Sequence, residues 1–121
     1  MTDKKMAIGV GDADATAQEF VQAWRRAAAG EPAEEPMERL YFQDLPTLLQ
    51  TLTPRRLELL KKLHQTGPSS VRALAKTLQR DYKNVHQDVE ALECVGLVLR
   101  TADRRLSAPW EKVVAEINLA A

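Results

Sequence analysis

The chain has 121 residues, 45% of them hydrophobic and 28% charged, room for one compact domain and an accessory element. No apolar run approaches the ~20 residues of a bilayer span, and Cys94, the single cysteine, excludes an internal disulfide. The 17 Lys/Arg balance 17 Asp/Glu, but unevenly: residues 1–52 carry 5 against 9, a net −4, and residues 53–121 carry 12 against 8, a net +4. A localised phosphate-binding face on a neutral chain leaves that pattern. With no long apolar leader in MTDKKMAIGVGDAD and a lone cysteine, the expected compartment is the cytoplasm.

Residues 1–15 mix Gly, Asp, Ala and Lys without a period and are expected to be a mobile tail. Thr16 with Glu19 reads as a capping box, and Phe20, Val21 and Trp24 then share a helix face up to a C-cap at Gly30. Glu31–Pro36 is a helix-stopping connector; Arg39–Phe42 suits a short strand and Leu45–Leu52 a short apolar helix. Thr53-Pro54 starts a helix to Gln65 with Leu57, Leu60 and Leu63 on one stripe. Ser69 or Ser70 caps the next, where Val71, Leu74, Ala75 and Leu78 follow the i, i+3, i+4, i+7 pattern. Asp81 caps a third, carrying Val85, Val89 and Leu92 and ending at Gly96. The period then changes. Leu97–Arg100 and Arg105–Ser107 read as a hairpin around Thr101–Arg104, which lacks the Asn-Gly or Asp-Gly signal. Residues 109–121 alternate as a strand would, yet Val113, Val114 and Ile117 suit a helix as well.

Three short helices followed by a hairpin form the winged helix-turn-helix arrangement. The expected fold is therefore mainly α with a small β-hairpin wing at 53–121. It follows an N-terminal helical extension at 16–52, expected to dimerise. Small residues such as Ala73 and Ala75 would let the first two helices cross closely. The third would keep one face for the core and offer the other to a major groove, with a basic hairpin tip, Arg104 and Arg105, on phosphate or in the minor groove. The assigned core is Leu57, Leu60, Leu63, Leu74, Leu78, Val85, Val89, Leu92 and Leu97. The apolar surplus, Phe20, Val21, Trp24, Tyr41, Phe42, Trp110, Val113, Val114 and Ile117, is then free to build a seam between copies. Cys94 is expected to be buried and inert.

The stretch Leu52 to about Trp110 resembles the MarR-type winged helix-turn-helix regulators. It is closer still to small bacterial and archaeal predicted transcriptional regulators that share the run R-D-Y-K-N-V-H-x-D-V-x-x-L, here Arg80–Leu92. The resemblance implies double-stranded DNA binding, homodimerisation and, in some members, an antitoxin role beside a toxin partner; it implies no ligand or cofactor. It places Tyr82, Lys83, Asn84, His86 and Gln87 on the exposed half of the recognition helix, and Ser69, Ser70 and Arg72 at the start of the preceding helix, where backbone N–H groups hold phosphate. Asn84 and Gln87 carry the donor–acceptor pair that reads adenine. Asp88 stands where MarR-type sequences often have an apolar residue, and such a carboxylate needs a cation, Arg80 or Arg56.

Plainer readings stand beside these. Any helix has a solvated polar face, Tyr82 suits packing as well as base contact, and His86 suits polar surface. His64, His86 and Cys94 form no metal spacing, and no phosphate loop or dinucleotide fingerprint occurs, so no enzyme is expected. The rival class is an antitoxin or assembly adaptor that uses its winged helix on a protein partner.

Overall fold

The computed structural model describes residues 4–11, 24, 25, 28–30, 38–117 and 119. They fall into two compact units, one up to Leu48 that is rejoined by the chain from Lys112, the other Leu49–Glu111.

The first unit holds a three-stranded sheet. Strands β1 (Lys4–Val10), β2 (Glu38–Phe42) and β5 (Trp110–Glu116) lie in the order β2-β1-β5, with β1 and β2 parallel from Met6↔Glu38 to Val10↔Phe42. The expected mobile tail is thus corrected over Lys4–Val10, which form the central strand with Met6 and Ile8 buried. Small Ala7 and Gly9 between them blur the alternation that marks a strand. Gly9 faces Tyr41 across the register, and a Cβ there would stand 3.1 Å from the Tyr41 ring. Within the extension at 16–52, β2 falls on the short strand expected at Arg39–Phe42, and β5 settles the open conformation of residues 110–116 as strand.

Parallel neighbours need a long crossover. Within it Trp24, Arg25 and Ala28 are helical and Gly30 has φ +80°, the backbone of a C-cap. The capping box at Thr16 and Glu19, Phe20, Val21 and the Glu31–Pro36 connector lie outside the described residues. Helix α1 (Leu45–Thr51) begins at Asp44, whose carboxylate accepts from Thr47 N at 2.8 Å and from the Thr47 hydroxyl at 2.6 Å. Those bonds, the hydroxyl's above all, hold the Asp44 carboxyl below its ordinary pKa.

The second unit is a winged helix-turn-helix. It contains α2 (Pro54–Thr66), α3 (Val71–Leu78) and α4 (Tyr82–Cys94), then β3 (Leu99–Arg100) antiparallel to β4 (Leu106–Ser107). Each helix starts or stops for a local reason. Thr53 accepts from Arg56 N at 3.3 Å and Ser70 from Ala73 N at 3.1 Å, so Ser70 is the α3 cap. Asp81 occupies the N-cap of α4 without a side-chain capping bond. Gly96, at φ +87°, closes α4: its N–H reaches Glu93 O and that of Leu97 reaches Leu92 O.

The core of this unit centres on Leu59, Leu63, Leu74, Val85, Val89, Leu92, Leu97, Val98, Leu106 and Trp110. Five expectations are corrected here. Leu57 is 45% exposed and Leu59 fully buried, because the inward stripe of α2 runs Arg56, Leu59, Leu60, Leu63. Ala73 is exposed, whereas Ala75 is buried. Cys94 is exposed; at about 100° per residue it lies some 200° around α4 from Leu92. Trp110 is buried and donates from Nε1 to Leu97 O at 2.8 Å, so it is core rather than surplus surface. Phe42 is likewise buried in its own unit.

Candidate nucleic-acid interface

Helix α4 is held from behind and open in front. Its Val85, Val89 and Leu92 are buried, while Tyr82, Lys83, Asn84 and Gln87 are exposed and His86 is half-buried. The Lys83, Asn84 and Gln87 side chains make no hydrogen bond or ion pair among the described residues, so their polar groups are available to a ligand.

The anchor behind the helix is ionic. Asp88 Oδ1 accepts from Arg56 Nε at 3.1 Å and Oδ2 from Arg80 Nη2 at 2.7 Å. Arg56 Nη1 also donates to the carbonyls of Gln50 and Thr51, at 3.3 and 3.0 Å, closing the end of α1. The sequence left Arg80 and Arg56 as alternative partners for Asp88, and the carboxylate takes both. All three side chains are about four-fifths buried, which fixes the turn between α3 and α4 and the roll of α4 together.

Tyr82 joins the exposed starts of two helices. The Arg72 guanidinium lies 5.8 Å from its ring centroid, and the His86 ring stands 5.9 Å away with a 31° tilt. His86 in turn has Glu90 Oε1 3.7 Å from Nδ1. The ring is 48% exposed, so it is at once a packing surface for Arg72 and a face open to solvent. Glu90 escaped the sequence reading, although its i, i+4 spacing from His86 would have found it.

The two serines separate. Ser70 accepts at its oxygen and keeps its hydroxyl proton to donate. Ser69 exchanges backbone hydrogen bonds with Leu106, at 3.1 and 2.8 Å, an isolated bridge that ties it to the wing. Its hydroxyl is buried without a partner and its N–H is committed, which places Ser69 away from an open phosphate site.

The wing arginines separate too. Arg104 N donates to Thr101 O and Thr101 N to Arg105 O, a three-residue hairpin loop with Arg104 at φ +66°. Arg105 Nε donates to Asp103 Oδ2 at 2.7 Å and Nη1 reaches Pro68 O at 3.4 Å. Asp103 also accepts from the Thr101 hydroxyl; this bond first, then Arg105, holds its carboxyl below the ordinary pKa. Asp103 therefore stays charged through mildly acidic pH and keeps opposing Arg105. Arg100 is paired bidentately with Glu93, at 3.0 and 3.2 Å. Among the described residues the Arg104 side chain has no partner.

Arg104 occupies backbone that glycine adopts without strain. Arg104→Gly should accordingly stabilise the unit by about 0.5–1 kcal/mol, read from the urea midpoint at unchanged m-value. A loss of stability would mean that the Arg104 side chain is itself part of the wing's packing.

Among the described residues no helix is long and apolar enough to cross a membrane. No curated protein matches the chain. Two solved structures are similar to it at low identity. The multiple antibiotic-resistance repressor MarR of Listeria monocytogenes is 21% identical over 81% of this chain, with a TM-score of 0.44. A MarR-like transcriptional regulator of Thermotoga maritima is 20% identical over 80%, with a TM-score of 0.42. The chain spans 64% of the length of each. The family model HVO_A0114 matches residues 51–115, which take in the whole of α2, α3, α4 and the wing. That match covers more than half of the 121 residues, and the chain belongs to the HVO_A0114 family.

Proposed function

We propose that this chain is a sequence-reading binder of double-stranded DNA that regulates transcription, working as a pair of copies. The observation that carries the reading is the front of α4: Lys83, Asn84 and Gln87 exposed and unengaged on a helix whose back is buried and ionically anchored. A helix about 10–12 Å across fits a major groove about 12 Å wide. There Asn84 and Gln87 each offer one donor and one acceptor to an adenine edge, and Lys83 reaches guanine or phosphate. Ser70 and Arg72 at the start of α3 serve phosphate, and Arg104 extends the contact from the wing. Pairing two copies doubles a short reading frame and favours palindromic sites.

Selection from a randomised duplex pool tests this. The protein should enrich a defined motif, and Asn84→Ala or Gln87→Ala should weaken binding to it by about 1–3 kcal/mol while leaving random duplex nearly unchanged. Failure to enrich any motif overturns sequence reading. Equal losses on motif and random DNA overturn the roles given to these two residues.

A further inference from the structure

Strand β5 lies at the edge of its sheet, and its second edge pairs with no strand among the described residues. An open edge presents unpaired N–H and C=O groups to any extended segment. Along β5, Val114 is 40% exposed. Lys112 and Glu116 are exposed and have no side-chain partner among the described residues. Those three alternate onto one face of the strand.

We propose that the occupant of this edge is a second copy of the chain, β5 against β5 antiparallel, with Val114 opposite itself on the two-fold axis. This deepens the paired-copy part of the function proposed above and assigns its seam. Symmetry limits the possible registers. A two-fold relating antiparallel strands stands perpendicular to the sheet and passes through one pair of equivalent, directly opposed residues. Each permitted register is therefore centred on a single residue. Centring on Lys112 opposes two like charges. Centring on Val113 sets Lys112 against Val114 and Glu111 against Ala115, with no charge pair. Centring on Ala115 sets Glu116 against Val114 and carries Lys112 past the end of its partner strand. Centring on Val114 alone sets Lys112 opposite Glu116 of the other copy, twice by symmetry, with Val113 opposite Ala115 on the reverse face.

A lysine on an edge strand ordinarily discourages pairing. Here the same lysine, matched only in one register, selects that register and disfavours the rest. Strand β2, at the other edge of the sheet, offers no equivalent. Centred on Leu40, it opposes Glu38 to Phe42 and Arg39 to Tyr41, and Arg39 and Tyr41 are already engaged within the chain.

Sedimentation equilibrium of the full chain without DNA tests the proposal. The protein should dimerise in the micromolar range. Glu116→Lys and Lys112→Glu should each weaken the dimer roughly tenfold or more, because each turns two attractive pairs into two repulsive ones. The double exchange, Lys112→Glu with Glu116→Lys, should restore association to within about threefold of the original. Val114→Cys in a Cys94→Ser background should form an intermolecular disulfide under mild oxidation, since directly opposed residues have Cα atoms about 4.5–5.5 Å apart, within disulfide reach. A monomer at every concentration, or a double exchange no better than the single variants, overturns the seam. Leaving DNA out keeps the two proposals separable: a dimer that enriches no motif sinks the DNA reading alone, and a motif-binding monomer sinks this one alone.

Discussion

Asp88→Ala should cost the winged unit about 2–4 kcal/mol, a large part of the 5–15 kcal/mol typical of a small domain. The loss is set less by the bonds removed than by what they leave behind. The Arg56 and Arg80 side chains are 22% and 19% exposed, and without Asp88 both guanidiniums stay mostly desolvated with no counter-charge. Breaking a fully buried pair costs about 3–5 kcal/mol, and the residual exposure of these groups lowers the figure. Arg80 Nη1 already lacks a partner in the intact protein, so Arg80 has little means of compensation. Arg80→Ala should cost less than Asp88→Ala, because Asp88 keeps Arg56. Urea unfolding followed by far-UV circular dichroism measures both. An Asp88→Ala loss below about 1 kcal/mol would show that the two arginines find solvent readily and that the knot is ornamental to the fold. In the functional reading the same substitution frees α4 to roll, so motif binding should fall by more than the unfolded fraction accounts for.

Affinity for duplex DNA should fall about a thousandfold between 50 and 200 mM salt. If two copies together neutralise about six phosphates, the log–log slope is roughly −5. The wing sharpens this expectation. Arg105 faces Asp103, which stays ionised, and Arg100 faces Glu93, so neither brings a full unopposed charge to the backbone. Arg104 does. Arg104→Ala should flatten the slope by about one per copy, and Arg105→Ala by clearly less. Asp103→Asn should steepen it by releasing Arg105. Fluorescence anisotropy on a random duplex across a salt series is sufficient, because phosphate contacts are indifferent to sequence. A flat response would remove the electrostatic basis for the +4 balance of residues 53–121.

The helices of the winged unit were legible because their signals are local. Thr53-Pro54, the serine before α3 and the glycine after α4 each act within a few residues, through caps and left-handed backbone that need no distant partner. The pairing of Asp88 with arginine was legible for another reason. A carboxylate at a core position has few solutions, and desolvation rejects most of them. Only the tertiary structure decided what depends on segments far apart in the chain. Strand β1 exists because Glu38–Phe42 and the end of the chain return to flank it, and no seven-residue window containing Ala7 and Gly9 announces that. The burial of Leu59 in place of Leu57 depended on which edge of a leucine-rich helix met its neighbours, and the burial of Trp110 on a carbonyl thirteen residues upstream. At the candidate interface, composition made Arg104 and Arg105 equivalent, as it did Ser69 and Ser70. The folded wing separates each pair: Arg105 is paired with Asp103 while Arg104 is not, and Ser69 is tied into the wing by its backbone with its hydroxyl buried, while Ser70 stays exposed at the start of α3.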